Sequence, residues 1–328
     1  MAEVTYLRKC IQIKAEDSPN VRWARMQIAR GEQPTGERVI RGNVLSWDEY
    51  CERRKTLHKS RQTVVLDAEW DEGSDEKLVP WTWIEEARRF AETLRGVHRS
   101  LPRYMGVDSA AGGDDSAWVV GDRLGVLHTM NIKTPNTNDV PSWTIRLMRD
   151  WSVPAERVCF DLGGGGREHA HRMRANGHAV RATGFGRASS GELKKPGVMT
   201  TFAERRDTHE DRDAFENRRS EMAWDLRLIL ERDSEGRYTA KDFYGPAGGF
   251  GLPAECTKVL CNQLKLPPVL WDGKGRFKLI PKENPKDPKD PNTFRRMLSG
   301  ASPDVFDAFC LMVFGMTHKP VRLTAGAG

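Results

Sequence analysis

The sequence predicts an α/β protein: a mixed β-sheet flanked by helices over residues 101–328, preceded by a mostly helical segment over residues 1–100. Three observations carry this prediction. Before residue 100, apolar residues recur at helical spacing and strand signals are few. Near residues 97–103 the pattern breaks. Beyond the break, short apolar runs and amphipathic stretches follow one another as strand, strand, strand, helix, strand, helix, strand.

In the first segment, "VLSWDEYCERRKTL" and "WTWIEEARRFAETLRG" read as helices, the second with Trp83, Ile84, Ala87 and Phe90 at helical spacing. "RQTVVLDAEW" has room for one short strand, and "DEGSDEK" (71–77) is a polar loop. "RYMGVDSA", "SAWVVGD" and "LGVLHTMNI" then predict a three-stranded meander, its last two strands joined by the turn-like "GDRLG". "VPSWTIRLMRDW" is amphipathic, with Trp143, Ile145, Leu147 and Met148 available to a core. "RVCFD" is a fourth strand, "GREHAHRMRANG" a helix stopped by Gly177, and "HAVRATGFG" a fifth strand. "SGELKKPGV" (190–198) reads as a mobile loop. "FENRRSEMAWDLRLILER" is a helix with Met222, Leu226 and Ile229 on one stripe, and "AECTKVLCNQL" a short one. "GRFKLIPKENPKDPKDPN" is a strand followed by a Pro/Lys/Asp loop. The last helix, in "SPDVFDAFCLMVFG", takes Ser302 as N-cap, Pro303 as its first residue and Gly315 as its stop.

No apolar run nears the roughly 18 residues of a membrane span, and the first twenty residues lack a signal peptide's apolar core, so a cytoplasmic protein is expected. The six cysteines include no Cys-x-x-Cys pair, which argues against zinc; Cys159 and Cys310 lie in apolar runs and read as buried thiols. The net charge of +6 lies mostly after residue 100, and Lys274–Arg296 holds eight basic residues against three acidic ones. Such a surface suits a polyanion or is ordinary solvated surface.

Four acids occupy special places. Asp108 ends the first predicted strand and Asp161 the fourth, while Asp304 and Asp307 project from one face at the start of the last helix. If strands one and four are neighbours, Asp108 and Asp161 lie side by side, where ligands of open sheets gather. A helix across that edge would add Asp304 or Asp307. Carboxylates gathered in this way offer the hard oxygens that magnesium or manganese requires, and two such ions can hydrolyse a phosphodiester. Each acid also has a structural reading: Asp108 starts a turn, Asp161 caps the glycine turn, Asp304 meets the helix dipole, and Asp307 is a hydrogen-bonded buried acid.

The four glycines after Asp161 (163–166) join a strand to a helix. Without side chains they would let a nucleic-acid backbone approach, which makes Gly164 and Gly165 candidate DNA contacts beside Arg167. No P-loop and no G-x-G-x-x-G pattern is present. "FDLGGGG" and "GVDSAAGGDDSA" also mimic the phosphate loops of heat-shock-chaperone and sugar-kinase ATPases, but the short spacing of the two acids fits one domain rather than two lobes. Arg218 and Arg219 either contact DNA phosphate or lie on a solvated helix face. The loop from Lys282 to Pro291 either touches DNA or is merely mobile. His169, His171 and His178 read as surface residues.

The stretches "YMGVDSAAGGDDSA", "VCFDLGGGG", "FENRRSEMAWDLRLIL" and "KLIPKEN" with "SPDVFDAFCLM", spanning roughly 104 to 316, resemble the C-terminal nuclease domain of the large terminase subunit of tailed bacteriophages. The resemblance implies a ribonuclease H-like fold at 101–328. It makes Asp108, Asp161, Asp304 and Asp307 ligands of two Mg²⁺ or Mn²⁺ ions in a catalytic centre that cuts double-stranded DNA during genome packaging. Residues 1–100 resemble the end of the ATPase motor and its linker. The motor core and its Walker A loop are absent from this sequence, so no ATPase activity is expected of this chain alone. The resemblance further implies a small terminase subunit, a portal protein and a separate ATPase-containing chain as partners. A truncated or split gene product, or a non-catalytic packaging adaptor or prophage remnant, is the alternative.

Overall fold

The computed structural model describes residues 13–34, 44–56, 62, 65–68, 77–97, 99–110, 114–136, 138–188, 215–232, 237–238, 248–272 and 276–318. The loop at 190–198 and most of the polar loop at 71–77 lie outside the described residues.

The chain divides into two compact units, Met1–Ser74 with Gly273–Gly275, and Asp75–Asp272 with Arg276–Gly328. The first holds helices α1 (Pro19–Ala29) and α2 (Trp47–Thr56) around Val21, Tyr50 and Leu66. Pro19 at the first helical position starts α1 with its φ already set. The stretch "RQTVVLDAEW" forms no strand among its described residues: 62 and 65 are helical, and Asp67 pairs with Arg54.

The second unit begins before the compositional break at 97–103. Helix α3 (Trp81–Thr93), read from sequence as part of the first segment, buries Ile84, Ala87 and Ala91 within it. Arg227, wholly buried, donates to the carbonyls of Lys77 (2.9 Å) and Leu78 (2.7 Å) and ties the entering chain to the core.

Five strands follow the predicted order: β1 (Tyr104–Asp108), β2 (Asp115–Asp122), β3 (Gly125–Lys133), β4 (Val158–Asp161) and β5 (Arg181–Thr183). They lie in the sheet as β3-β2-β1-β4-β5. The first three form the expected antiparallel meander, whereas β1–β4 and β4–β5 are parallel. Each parallel pair is bridged by a helix, α4 (Asp139–Asp150) before β4 and α5 (Gly166–Ala175) before β5.

Strand alternation sends side chains to two cores. Met105, Val107, Trp118 and Phe160 meet α4 and α5 on one face, where Trp118 Nε1 donates to Thr144 Oγ1 (2.9 Å). On α4, Leu147 is buried but Ile145 is 38% exposed, because Val140 and Thr144 instead supply the buried stripe. The other face carries α6 (Arg218–Leu230), α7 (Ala254–Leu264), the short α8 (Phe294–Met297) and α9 (Asp304–Thr317); β6 (Leu270–Trp271) and β7 (Phe277–Lys278) form a separate hairpin.

Helix α9 is buried along its whole length. It lies directly on β1 because Gly106 has no side chain: a Cβ there would stand 1.9 Å from the Ala308 carbonyl oxygen. Its ends differ from the sequence reading. Pro303 is the N-cap, Ser302 Oγ donates to Asp304 Oδ1 rather than capping, and the helix runs through Gly315 to Thr317. Burial against the sheet outweighs the roughly 1 kcal/mol that one helical glycine costs.

Candidate active site

Asp108 and Asp161 end the adjacent parallel strands β1 and β4 and emerge at the same sheet edge. The Gly106–Ala308 approach brings the first turn of α9 to that edge, and with it Asp304 and Asp307. The four carboxylates line one cleft of about 450 Å³ with Asp114, Asp115, Arg219 and Lys282. All four are buried, Asp307 to within 1% of full occlusion.

Each acid has internal partners. Asp161 Oδ2 accepts from Gly163 N (3.0 Å) and Oδ1 from Phe185 N (3.3 Å), so it caps the glycine turn while facing the cleft. Arg219, at the start of α6, grips Asp307 with two bonds, Nε to Oδ1 (2.9 Å) and Nη2 to Oδ2 (3.2 Å). Lys282 stands among three acids, with Nζ 3.0 Å from Asp304 Oδ1 and 3.7 Å from both Asp108 Oδ2 and Asp307 Oδ2.

The electrostatics follow from burial and crowding. Burial, then the charge of Asp307, pushes the Asp108 carboxyl well above its ordinary range; Lys282 opposes this, while Asp304 and Asp161 add to it. Burial also raises Asp161 and Asp304, against the N–H groups of Gly163 and Phe185 in the first case and Lys282 and Ser302 in the second. Burial alone would lower the Lys282 ammonium, but the carboxylates of Asp108, Asp307 and Asp304 outweigh it and hold it above the usual lysine range.

Four carboxylates thus face two cations, Lys282 and Arg219, which leaves an excess of negative charge on hard oxygen donors. This donor set fits a magnesium- or manganese-type ion. Among the described residues, no three acidic, histidine or cysteine side chains stand close enough to enclose one ion as they are; an ammonium group sits between them instead.

The predicted DNA contacts are placed differently from one another. Gly164 lines the cleft, and Gly165 and Arg167 are exposed beside it. Arg219 is spent on Asp307, and Arg218 on the Ala188 carbonyl (3.3 Å) and Glu221 (3.2 Å), so neither forms a solvated face. Three of the four glycines have causes inside the protein. A Cβ on Gly163 would meet Asp161 Oδ2 at 2.6 Å, one on Gly164 the Ser109 carbonyl at 2.1 Å, and one on Gly166 the Asp161 carbonyl at 1.9 Å. Gly164 and Gly165 also take positive φ, 53° and 83°. His169 is not a surface residue: it is 2% exposed and packs under Gly165, while His171 is exposed as expected. Its place on the inward face with Ala170 and Met173 is a helical-period signal that the i, i+2 spacing to His171 obscured. Single-sequence reasoning missed Arg219's grip on Asp307 and the Ser302 and Phe185 contacts, which no local pattern marks.

No protein-family model matches the sequence, and no curated protein matches it. Solved structures do. The nuclease domain of the large terminase subunit gp2 of bacterial virus Sf6 is 18% identical, with a TM-score of 0.53 over 75% of this chain and 100% of that one. A mutant of that domain with manganese is 16% identical (TM-score 0.54, 74% and 100% covered), and another with manganese and beta-thujaplicinol is 17% identical (TM-score 0.54, 75% and 100% covered). The mixed five-stranded sheet and its flanking helices are thus the ribonuclease H-like fold of large terminase nuclease domains.

Proposed function

We propose that this chain is a metal-dependent endonuclease of the phage large terminase type, acting on double-stranded DNA. The observation that carries this reading is the meeting of Asp108, Asp161, Asp304 and Asp307, from two strands and a helix, in one open cleft. The shared fold supports it, as does the manganese in the Sf6 domain. Two Mg²⁺ or Mn²⁺ ions held by these four acids would supply an activated water and charge stabilisation at the leaving oxygen. The chain's own residues do the positioning. Gly163 and Phe185 fix the Asp161 carboxylate, and Arg219 holds Asp307 in one orientation. Lys282, whose side chain is 34% exposed, keeps the acids together and can turn its ammonium toward a phosphate. The first compact unit would be the end of a motor region and its linker, with a separate ATPase-containing chain, the small terminase subunit and the portal protein as partners.

Purified protein should nick or linearise supercoiled plasmid with Mn²⁺ or Mg²⁺ and stop doing so with EDTA. Folded protein that leaves plasmid intact with both metals over a wide concentration range contradicts the reading. The ammonium of Lys282 amid the acids favours a second reading, a DNA-binding adaptor that does not cut. Metal titration separates the two, because an ion that binds only the folded site must raise the melting temperature and an adaptor without the site shows no rise.

Asp161→Asn tests the double role of that residue. The variant should fold and bind DNA but lose cleavage. An amide cannot accept from both Gly163 and Phe185, which costs about 1 kcal/mol. It also removes a buried charge whose carboxyl is raised in the folded protein, so the metal-free variant should melt within roughly 2–4 °C of wild type. A less stable variant that still cuts would reduce Asp161 to a turn cap.

A further inference from the structure

His169 is a buried polar side chain without a protein partner. It is 2% exposed, and neither Nδ1 nor Nε2 has a hydrogen bond among the described residues. Side chains on a helix lean toward its N-terminus, and this ring does so across the first turn of α5. Its Nε2 stands 3.5 Å from the point a Cβ on Gly165 would occupy, with Cδ2 at 4.0 Å. Gly165, the N-cap, is exposed and left-handed, so no side chain comes between the occluded ring and the surface.

The helix end at the same place offers unused donors. Gly163 N is taken by Asp161, Gly166 N by the Gly163 carbonyl, and Glu168 N and His169 N by the Gly165 carbonyl. Among the described residues, the N–H groups of Gly164, Gly165 and Arg167 have no acceptor. The first turn of a ten-residue helix concentrates these donors with the positive end of the dipole. Gly164 lines the acidic cleft, so the turn adjoins the candidate catalytic centre.

We propose that the glycine turn and the start of α5 hold a phosphate of the DNA backbone, with the His169 imidazole donating to it from beneath Gly165. This deepens the nuclease reading and rests on it for the identity of the ligand as DNA. A phosphate oxygen accepts what the turn supplies: backbone N–H groups, the dipole and one ring N–H. Burial, with Arg172 adding to it, lowers the ring's pKa, so His169 is a neutral ring with one donor rather than a fixed cation. A buried group left without a partner calls for such an explanation, since packing alone is served better by an apolar side chain.

The test uses the full chain in EDTA, so that binding is measured without cleavage, on a 30-base-pair duplex followed by fluorescence anisotropy. His169→Leu should weaken binding about five- to tenfold, the worth of one hydrogen bond, equally for unrelated sequences. Its melting temperature should match or exceed wild type, because no native bond is lost. His169→Gln, which keeps a donor, should bind within about twofold of wild type. Inorganic phosphate should shift the amide NMR signals of Gly164, Gly165 and Arg167 saturably in the wild type and more weakly in His169→Leu. Unchanged DNA affinity in His169→Leu, or phosphate that leaves those amides unmoved, overturns the proposal. So does a His169→Leu variant that melts well below wild type, which would make the ring a packing element. Because no readout involves cleavage, an inactive protein that still binds phosphate here would sink the nuclease reading alone.

Discussion

Asp108→Asn should lower Mn²⁺-dependent plasmid cleavage by more than about a hundredfold, since even residues that only orient metal ligands typically account for 10–100-fold. It should leave the metal-free protein at least as stable as wild type. Asp108 is buried among Asp307, Asp304 and Asp161, and only Lys282 relieves it. Its carboxyl is raised in the folded state, so the folded protein holds that proton to higher pH than the unfolded chain does. The resulting stability is full below the ordinary carboxylate range and is lost as pH rises through the raised value. Asparagine removes this loss. The melting temperature of Asp108→Asn relative to wild type, without metal, should therefore climb as pH rises from about 4 to about 8. A variant that cuts like wild type, or one whose relative stability falls with pH, contradicts the placement of Asp108 as a crowded metal-binding acid.

Lys282→Ala should act in the opposite sense. Its ammonium is the shared partner of three buried carboxylates, and removing it leaves Asp108 and Asp304 without their cation while Asp307 keeps Arg219. Breaking a fully buried pair costs about 3–5 kcal/mol; this side chain is 34% exposed, and solvent screening reduces the expectation to about 2 kcal/mol. For a unit of this size that is a melting temperature roughly 4–8 °C lower at neutral pH without metal. Mn²⁺ should then raise the variant's melting temperature more than it raises that of wild type, because the ion no longer competes with a resident cation. Calorimetry across a Mn²⁺ titration reads both effects. Equal metal-induced shifts in the two proteins would mean that Lys282 and the ion do not share a site.

The short β6 and α8 were not legible in the sequence, whereas the order of the five sheet strands and of helices α4, α5, α6, α7 and α9, the meander, and the four acids at strand ends and a helix start were. These are properties of local period, and Asp108 and Asp161 are marked by where an apolar run stops. That β1 and β4 are neighbours was only a condition in the sequence; pairing joins residues about fifty positions apart, and the structure alone decides it. The same holds for α9. Its apolar composition says that it is buried, but only the contact of Gly106 with Ala308 sets Asp304 and Asp307 beside Asp108. Lys282 and Arg219 were legible as basic residues near the right segments, yet their bonds to the acids depend on loops and helix starts converging from separate parts of the chain. His169 looked like surface because its i, i+2 spacing to His171 spoke against a shared site; its burial comes from α5 docking on the sheet. Local sequence thus determined which groups exist and on which element each sits, since side-chain period is a short-range property. Which of them meet is decided by packing, because the contacts that close the site span from about 20 to about 200 residues of chain.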